Sequence, residues 1–256
     1  MSAVLNSVAD TEPGEAPAAR PAPSRPELEA RVAALRQVYE SKDGEELLRA
    51  MIEDEFVDSI ALVSSFGAES AVLLHMVSEI KPDLPVIFLD TRKLFGETVR
   101  YRDELIAKLG LTGLRIIRPD GEEVKKEDAN GLLWARNPDA CCALRKTRPL
   151  TKALEGFGAW VTGRKHFHSE NRANLPTIEH DGRHVKINPL VKWTAEQIRD
   201  YMKAHDLPHH PLVADGFLSI GCMPCTRRVE AGEDVRAGRW SGIAKTECGI
   251  HLGENI

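Results

Sequence analysis

The sequence predicts an α/β protein built on a parallel sheet. Three observations point there. Short apolar runs, Ile60 to Val63, Pro85 to Leu89, Leu114 to Ile117 and Ala159 to Thr162, recur along the chain, each the length of a buried strand. Helical periodicity fills the gaps between them, and strand–helix alternation builds right-handed βαβ units. Three of the runs end in polar or turn-forming residues, Ser64-Ser65-Phe66-Gly67, Asp90-Thr91 and Gly163-Arg164. In an open parallel sheet such strand ends face a common ligand crevice.

Taken in order, residues 1–26 are rich in Ala, Pro, Ser and Glu without periodicity and read as a disordered tail ending in RPAPSRP. Leu28, Val32, Leu35 and Tyr39 then recur at helical spacing, and Leu47, Leu48, Met51 and Ile52 mark a second amphipathic helix. Between the strands, helices are expected over Ala71 to Ile80, Phe95 to Leu109, Glu122 to Ala129 and Ala140 to Leu154. Thr177 to His180 and Val185 to Ile187 form a hairpin-like pair through Asp181-Gly182. Thr194 caps a helix running to about His205, with Glu196 and Gln197 in its first turn. From His209 onward the chain reads mostly as loop. The domain is thus expected over 27–240, with a mobile C-terminal arm over 241–256.

Composition excludes classes rather than naming one. A chain of 256 residues with 42% hydrophobic and 29% charged residues has room for one sizeable core and is ordinary for a soluble protein. A net charge of −5 offers no global attraction to nucleic acid or to an anionic membrane, so any anion site must be local. No apolar run approaches the ~20 residues of a membrane span, and the start carries no export signal. A cytoplasmic protein is expected.

Five cysteines in such a chain point to metal ligands or nucleophiles rather than to disulfides. Cys141-Cys142 and Cys222-x-x-Cys225 supply four thiols in two pairs. One ion needs side chains converging on a point, and adjacent cysteines converge poorly. A 4Fe-4S cubane gives each thiolate its own iron, which favours the cluster over zinc, with plain buried thiols as the bland alternative. Cys248 stands apart, near the C-terminus between Lys245 and His251, where a cation could hold a reactive thiolate. Arg145, Lys146 and Arg148 follow the first pair, and Arg227, Arg228, Arg236 and Arg239 follow the second. A charge run usually marks a solvated face; here the sharper reading is an oxyanion site, because guanidinium binds sulfate or phosphate oxygens through paired hydrogen bonds. The segment from Ser64 to Ser70 adds hydroxyls, a glycine and a helix N-terminus, though a serine-glycine turn is more often only a turn.

Together, SSFGAES, LDTRKLFGETVRYRDEL, CCALRKTRPL, VTGRKHFHSENRA, SIGCMPCTRRVEAGEDVRAGRW and KTECGIH resemble the phosphoadenylyl- and adenylyl-sulfate reductase family. The resemblance implies an adenine nucleotide α-hydrolase-like fold with a modified pyrophosphate loop. It implies that Cys248 is the nucleophile and that Cys141, Cys142, Cys222 and Cys225 hold a 4Fe-4S cluster, as in the branch that generally uses adenosine 5′-phosphosulfate. Lys146, Arg236 and Arg239 match positions associated with the sulfate and phosphate groups. Ser64, Ser65, Phe66, Gly67, Asp90, Thr91, Gly163 and Arg164 complete the expected substrate contacts. The implied reaction is assimilatory reduction to sulfite and AMP through an S-sulfocysteine that thioredoxin resolves, with neither nucleic acid nor membrane as partner. A homo-oligomer is compatible with the sequence. The runner-up substrate is the 3′-phosphorylated nucleotide. A zinc-stabilised binding module would leave Cys248 and the arginines without a role, and a tRNA-thiolating enzyme should carry a fuller ATP loop. Arg92 stands where the family pattern has glycine, and a glycine at a strand end often supplies a backbone angle that arginine disfavours. Gly96 replaces a frequent proline, and His168 a usual glutamine.

Overall fold

In a computed structural model, the structure describes residues 23–168, 172, 174–241, 245 and 247–251. The N-terminal tail up to residue 22 and the side chain of His168 lie outside the described residues. The first helix, α1 (Arg25–Tyr39), starts two residues earlier than the tail boundary implied, because Pro26 falls in the first turn, where its missing N–H costs nothing. Its buried positions are Leu28, Val32 and Leu35. The second helix, α2 (Gly44–Ala50), runs into a π-helical turn over Met51–Glu55.

Three βα steps and a fourth parallel strand follow: β1 (Ile60–Val63), α3 (Ser70–Ile80), β2 (Val86–Leu89), α4 (Gly96–Leu109) and β3 (Leu114–Ile117), then α5 (Gly121–Glu127), α6 (Leu133–Arg136), α7 (Pro138–Cys142), α8 (Arg148–Ala153) and β4 (Ala159–Val161). The hairpin strands β5 (Ile178–His180) and β6 (Val185–Ile187) and helix α9 (Ala195–Ala204) complete the regular elements. The sheet order is β3-β2-β1-β4-β6-β5. All neighbours pair in parallel except β5 with β6. The antiparallel edge follows from Asp181, whose Oδ1 accepts the N–H groups of Arg183 and His184 at 2.9 and 2.7 Å, and from Gly182 at φ 97°, a conformation open to glycine.

Both sheet faces are covered, which is why the strands read as continuous apolar runs rather than alternating ones. Ile60, Leu62, Val86, Phe88 and Val161 pack toward α1–α4 and α9 in the main core. Ala61, Ile87 and Trp160 face Leu150 of α8 and Leu154 at its C-cap. At the entry to β3, Gly113 admits no side chain: a Cβ there would lie 2.1 Å from the Leu84 carbonyl oxygen. The helical stretch expected over Ala140 to Leu154 is present, but a π-helical turn at Ala143–Thr147 divides it between α7 and α8. Such turns re-aim side chains and are frequent at functional sites. This one carries Arg145 and Lys146.

Candidate active site

The carboxyl ends of β1, β2 and β4 open into a cleft of about 220 Å³, the position that strand topology predicts for ligands. Ser64, Ser65, Gly67, Lys146, Gly163, Arg164, Arg236, Arg239 and Cys248 line it, so residues scattered over the sequence converge as expected. Three do not. Phe66 is fully buried and meets Phe88 edge to face at 5.3 Å, so its ring belongs to the core. Asp90 accepts the Arg92 N–H at 3.0 Å and the Arg118 Nε at 3.2 Å, which commits it to the strand-end turn. Thr91 pairs with Cys222, Oγ1 to Sγ 3.2 Å, and so is committed to the second cysteine pair. Asp90 and Thr91 follow β2 but lie outside the cleft lining.

The loop from Ser64 to Ser70 is set by its own hydroxyls. Ser64 Oγ accepts the Phe66 N–H at 3.2 Å, and Ser70 Oγ the Gly67 N–H at 2.8 Å. Those hydroxyls keep their own hydrogens to donate. Phe66 holds φ 48°, a left-handed value unusual for an aromatic residue and typical of constrained site loops. Behind the loop, Lys165 Nζ lies 3.0 Å from Glu69 and donates to the Gly163 carbonyl at 3.1 Å, tying the first loop to the end of β4.

Cys248 is buried. Its pKa is held well below the ordinary thiol value, first by the hydrogen bond with Cys142, against the effect of burial, and then by Lys146, the Ile250 N–H and Arg239. Lys146 Nζ is 4.0 Å from its sulfur. Burial works against the Lys146 charge, but the sulfurs of Cys222, Cys248 and Cys142 outweigh it and hold the pKa above the usual lysine range. The Arg236 pKa falls to about 10, mainly through burial and secondarily through Arg172. Arg239 crosses the Trp240 ring at 4.5 Å, and its Nε is buried without a hydrogen-bond partner among the described residues. The His251 ring lies parallel to Trp160, 8° between planes and 6.2 Å between centroids, and burial holds it neutral. Its Nδ1 is likewise buried and unpartnered among the described residues. Unsatisfied donors and acceptors at the wall of a cleft are groups that a polar ligand would satisfy.

Beside the cleft, Cys141, Cys142, Cys222 and Cys225 line one smaller cavity with Lys93, Trp134, Arg145, Lys146, Arg239 and Trp240. The two cysteine pairs therefore meet, although 80 residues separate them in sequence. Burial raises the pKa of Cys141, and the charges of Cys222 and Cys225 reach it. Arg145 spans the site: Nη2 bonds Asp128 at 2.7 Å and Nη1 the Thr91 carbonyl at 3.0 Å. Among the described residues, no three His, Cys, Asp or Glu side chains converge as a ready site for one metal ion. The donor set is four sulfurs around a cavity with cations at its wall, which fits a group that takes one thiolate per metal centre.

Residues 59–228 match the family described as the phosphoadenosine phosphosulfate reductase domain. The chain belongs to that family. Among its relatives is the adenosine 5′-phosphosulfate reductase of Mesorhizobium japonicum, 52% identical over 223 residues, covering 87% of this chain and 88% of the relative. The enzyme of the same description from Streptomyces coelicolor is 43% identical, covering 80% of this chain and 87% of its own. The crystal structure of phosphoadenylyl-sulfate reductase from Candida auris, a phosphate complex, superposes with a TM-score of 0.66 at 29% identity, covering 78% of this chain and 97% of that one. The phosphosulfate reductase fold, a mainly parallel sheet of the adenine nucleotide hydrolase-like kind, is the one observed.

Within this reductase-family chain, several cleft residues have no role that the sequence alone assigns. Arg172 and Glu247, Lys165 and Glu69, and Trp160 line the cleft through contacts between distant segments. Gly221 is another: a Cβ there would lie 2.4 Å from the Arg239 guanidinium, so the glycine makes room for that cation. It precedes Cys222 and could have been noticed from its place in the Ile220-Gly221-Cys222 turn.

Proposed function

We propose that the protein is an adenylyl-sulfate reductase that converts adenosine 5′-phosphosulfate to sulfite and AMP in cytoplasmic sulfate assimilation. Family membership supports reductive chemistry on a sulfur nucleotide, and the relatives named above support the choice of nucleotide. The observation that carries the reading is the setting of Cys248: a buried sulfur in the strand-end cleft, 4.0 Å from a lysine and bordered by Arg236 and Arg239. A sulfonyl sulfur is electrophilic, and a thiolate surrounded by cations is suited to attack it.

The Cys248 thiolate forms a bond to the sulfonyl sulfur as the sulfur–oxygen bond to the phosphate breaks. The electron pair leaves on AMP, and the enzyme holds an S-sulfocysteine. Lys146, Arg236 and Arg239 hold the sulfate and stabilise the charge that moves onto the phosphate oxygen. A thioredoxin dithiol then attacks the Cys248 sulfur, releases sulfite and is oxidised to its disulfide, which returns Cys248 to thiolate. Ser64, Ser65 and Ser70 present hydroxyls to the nucleotide side of the cleft.

Cys141, Cys142, Cys222 and Cys225 would hold a 4Fe-4S cluster, whose contribution when bound is to order the site and add to its electrostatics. With Cys142 committed as a thiolate ligand, its S–H no longer serves Cys248. Lys146 and the Ile250 N–H then carry the stabilisation of the nucleophile.

The test is mass spectrometry of protein mixed with adenosine 5′-phosphosulfate without thioredoxin. A sulfonate on Cys248, absent in Cys248→Ser, is the expected result. An adduct on another residue, or none from protein with its iron intact, removes the mechanism. A second reading, preference for phosphoadenylyl sulfate, draws on the Candida auris enzyme. Comparing kcat/KM for the two nucleotides decides between them.

A further inference from the structure

Among the described residues, six cations line the cleft, Lys146, Arg164, Lys165, Arg172, Arg236 and Arg239, together with two carboxylates, Glu69 and Glu247. Glu69 serves Lys165 at 3.0 Å. Arg164 is engaged by Asn188, which accepts from its Nη2 at 3.2 Å, and by Glu179. Glu247 differs in origin, because it arrives on the C-terminal segment, one residue before Cys248. Its two carboxylate oxygens accept from Arg172 Nε and Nη2 at 2.7 and 2.8 Å, with the side chains only 6% and 13% exposed. One of those oxygens also accepts the Cys248 N–H at 2.9 Å. Arg236 approaches the same carboxylate at a looser 3.7 Å.

We propose that Arg172 is a positioning residue for the reaction: its two-pronged bond to Glu247 docks the C-terminal segment with the Cys248 sulfur in the cleft. Three features support it. The fork-to-carboxylate geometry is the strongest form of charge-assisted hydrogen bond. Glu247 binds Arg172 and the Cys248 backbone at once, so the pair fixes the nucleophile and not merely the chain near it. If Arg172 turned to an incoming anion instead, it would leave a buried carboxylate without its main cation, which is strongly unfavourable. Arg172 also lowers the Glu247 pKa against the effect of burial, so the carboxylate is charged at neutral pH. The division of labour is therefore Arg172 to the segment and Arg236 to the substrate. The catalytic meaning of this latch rests on the function proposed above, whereas the docking itself does not.

The experiment measures alkylation of Cys248 by iodoacetamide, read by peptide mass spectrometry, in full-length protein purified with its iron. Wild type, Arg172→Gln, Glu247→Gln and the double variant are compared, with Arg172→Lys and Glu247→Asp as milder changes. Each glutamine variant is expected to label about 10- to 100-fold faster, the effect of losing a charged hydrogen-bonded pair. The double variant should match the singles, because the two residues act as one unit. The affinity for AMP should change by less than about threefold. Unchanged labelling in either single variant overturns the proposal, as does a tenfold loss of AMP affinity in Arg172→Gln with normal labelling in Glu247→Gln. Arg172→Lys keeps the charge and loses the fork, so an intermediate rate supports the latch and a wild-type rate removes it. Faster labelling in a protein that does not turn over adenosine 5′-phosphosulfate keeps the latch and sinks the proposed function. The Cys248 sulfonate with unaltered labelling does the reverse.

Discussion

Lys146 Nζ lies 4.0 Å from Cys248 Sγ, joining a residue of the π-helical turn after the first cysteine pair to the cysteine near the C-terminus. The lysine contacts both cavities, so it belongs at once to the cysteine cavity and to the reacting sulfur. The turn that places it is the one departure from regular helix between Pro138 and Ala153.

Replacing Lys146 with alanine takes a cation away from the thiolate, 4.0 Å from its sulfur, and from the sulfate it would attack. The rate of sulfonate formation on Cys248 in a single turnover should fall by about 10²- to 10³-fold, the usual effect of losing one preorganised charge. Rapid quench followed by intact-protein mass spectrometry reads it. A loss under about threefold would assign the charge stabilisation to Arg236 and Arg239 alone.

Anaerobically purified protein should be brown and carry roughly four iron and four acid-labile sulfide per chain. Cys225→Ser should lose most of both, because one iron then lacks its thiolate. Colorimetric iron and sulfide assays check this. A colourless protein with one zinc would replace the cluster by a single-ion site.

Arg92 occupies φ 58°, the left-handed conformation expected at this glycine position. That geometry costs a non-glycine residue about 1–2 kcal/mol, while glycine loses about 0.5–1 kcal/mol in chain entropy. Arg92→Gly should therefore stabilise the fold by roughly 0.5–1 kcal/mol. Urea denaturation measures it, and a destabilisation would show that the Arg92 contact with Asp90 outweighs the strain.

His210 supplies a pH dependence. It is fully buried, and its Nδ1 accepts the Leu212 N–H at 3.2 Å while Nε2 meets Thr98 Oγ1 at 3.0 Å. The ring is therefore the neutral tautomer with its proton on Nε2. Burial pushes its pKa down to about 4 from 6.5. Between those values the unfolded chain binds more protons than the folded one, so stability rises with pH there. Its loss should begin as pH falls below 6.5 and reach about 3 kcal/mol near pH 4. Denaturation midpoints at pH 4.5, 5.5 and 7 should fall more steeply for wild type than for His210→Gln, and parallel curves would remove the assignment.

Much of the fold was legible in the residues because parallel strands buried on both faces leave a strong mark. Each expected strand is present within one residue or so, and Thr194 caps α9 with Gln197 as its spacing implied. The helix start at Arg25 moved because proline is a first-turn residue as well as a breaker. Within the site, legibility followed chemistry. The four cysteines share one cavity, since rare side chains announce themselves by type and spacing. Of the arginines after the second pair, Arg236 and Arg239 line the cleft with Cys248, whereas Arg227 pairs with Glu233 and Arg228 lies over the Phe217 ring. Phe66, Asp90 and Thr91 were expected in the cleft with their neighbours, but adjacent residues at a strand end point different ways. Phe66 entered the core, Asp90 the turn, and Thr91 bonds Cys222.

The sequence by itself determined the kind of protein: a parallel α/β fold, a phosphosulfate reductase family signature, two cysteine pairs and a fifth cysteine set apart. Those properties follow from periodicity and residue type, which are local and survive in one dimension. Only the tertiary structure decided which groups surround the fifth cysteine. Lys146, Arg172 with Glu247, and His251 against Trp160 meet there from the π-helical turn after α7, the stretch beyond β4, the C-terminal segment and the sheet. Such meetings depend on how the loops close and where each side chain is aimed, and side-chain direction after a turn is fixed by packing rather than by the local sequence.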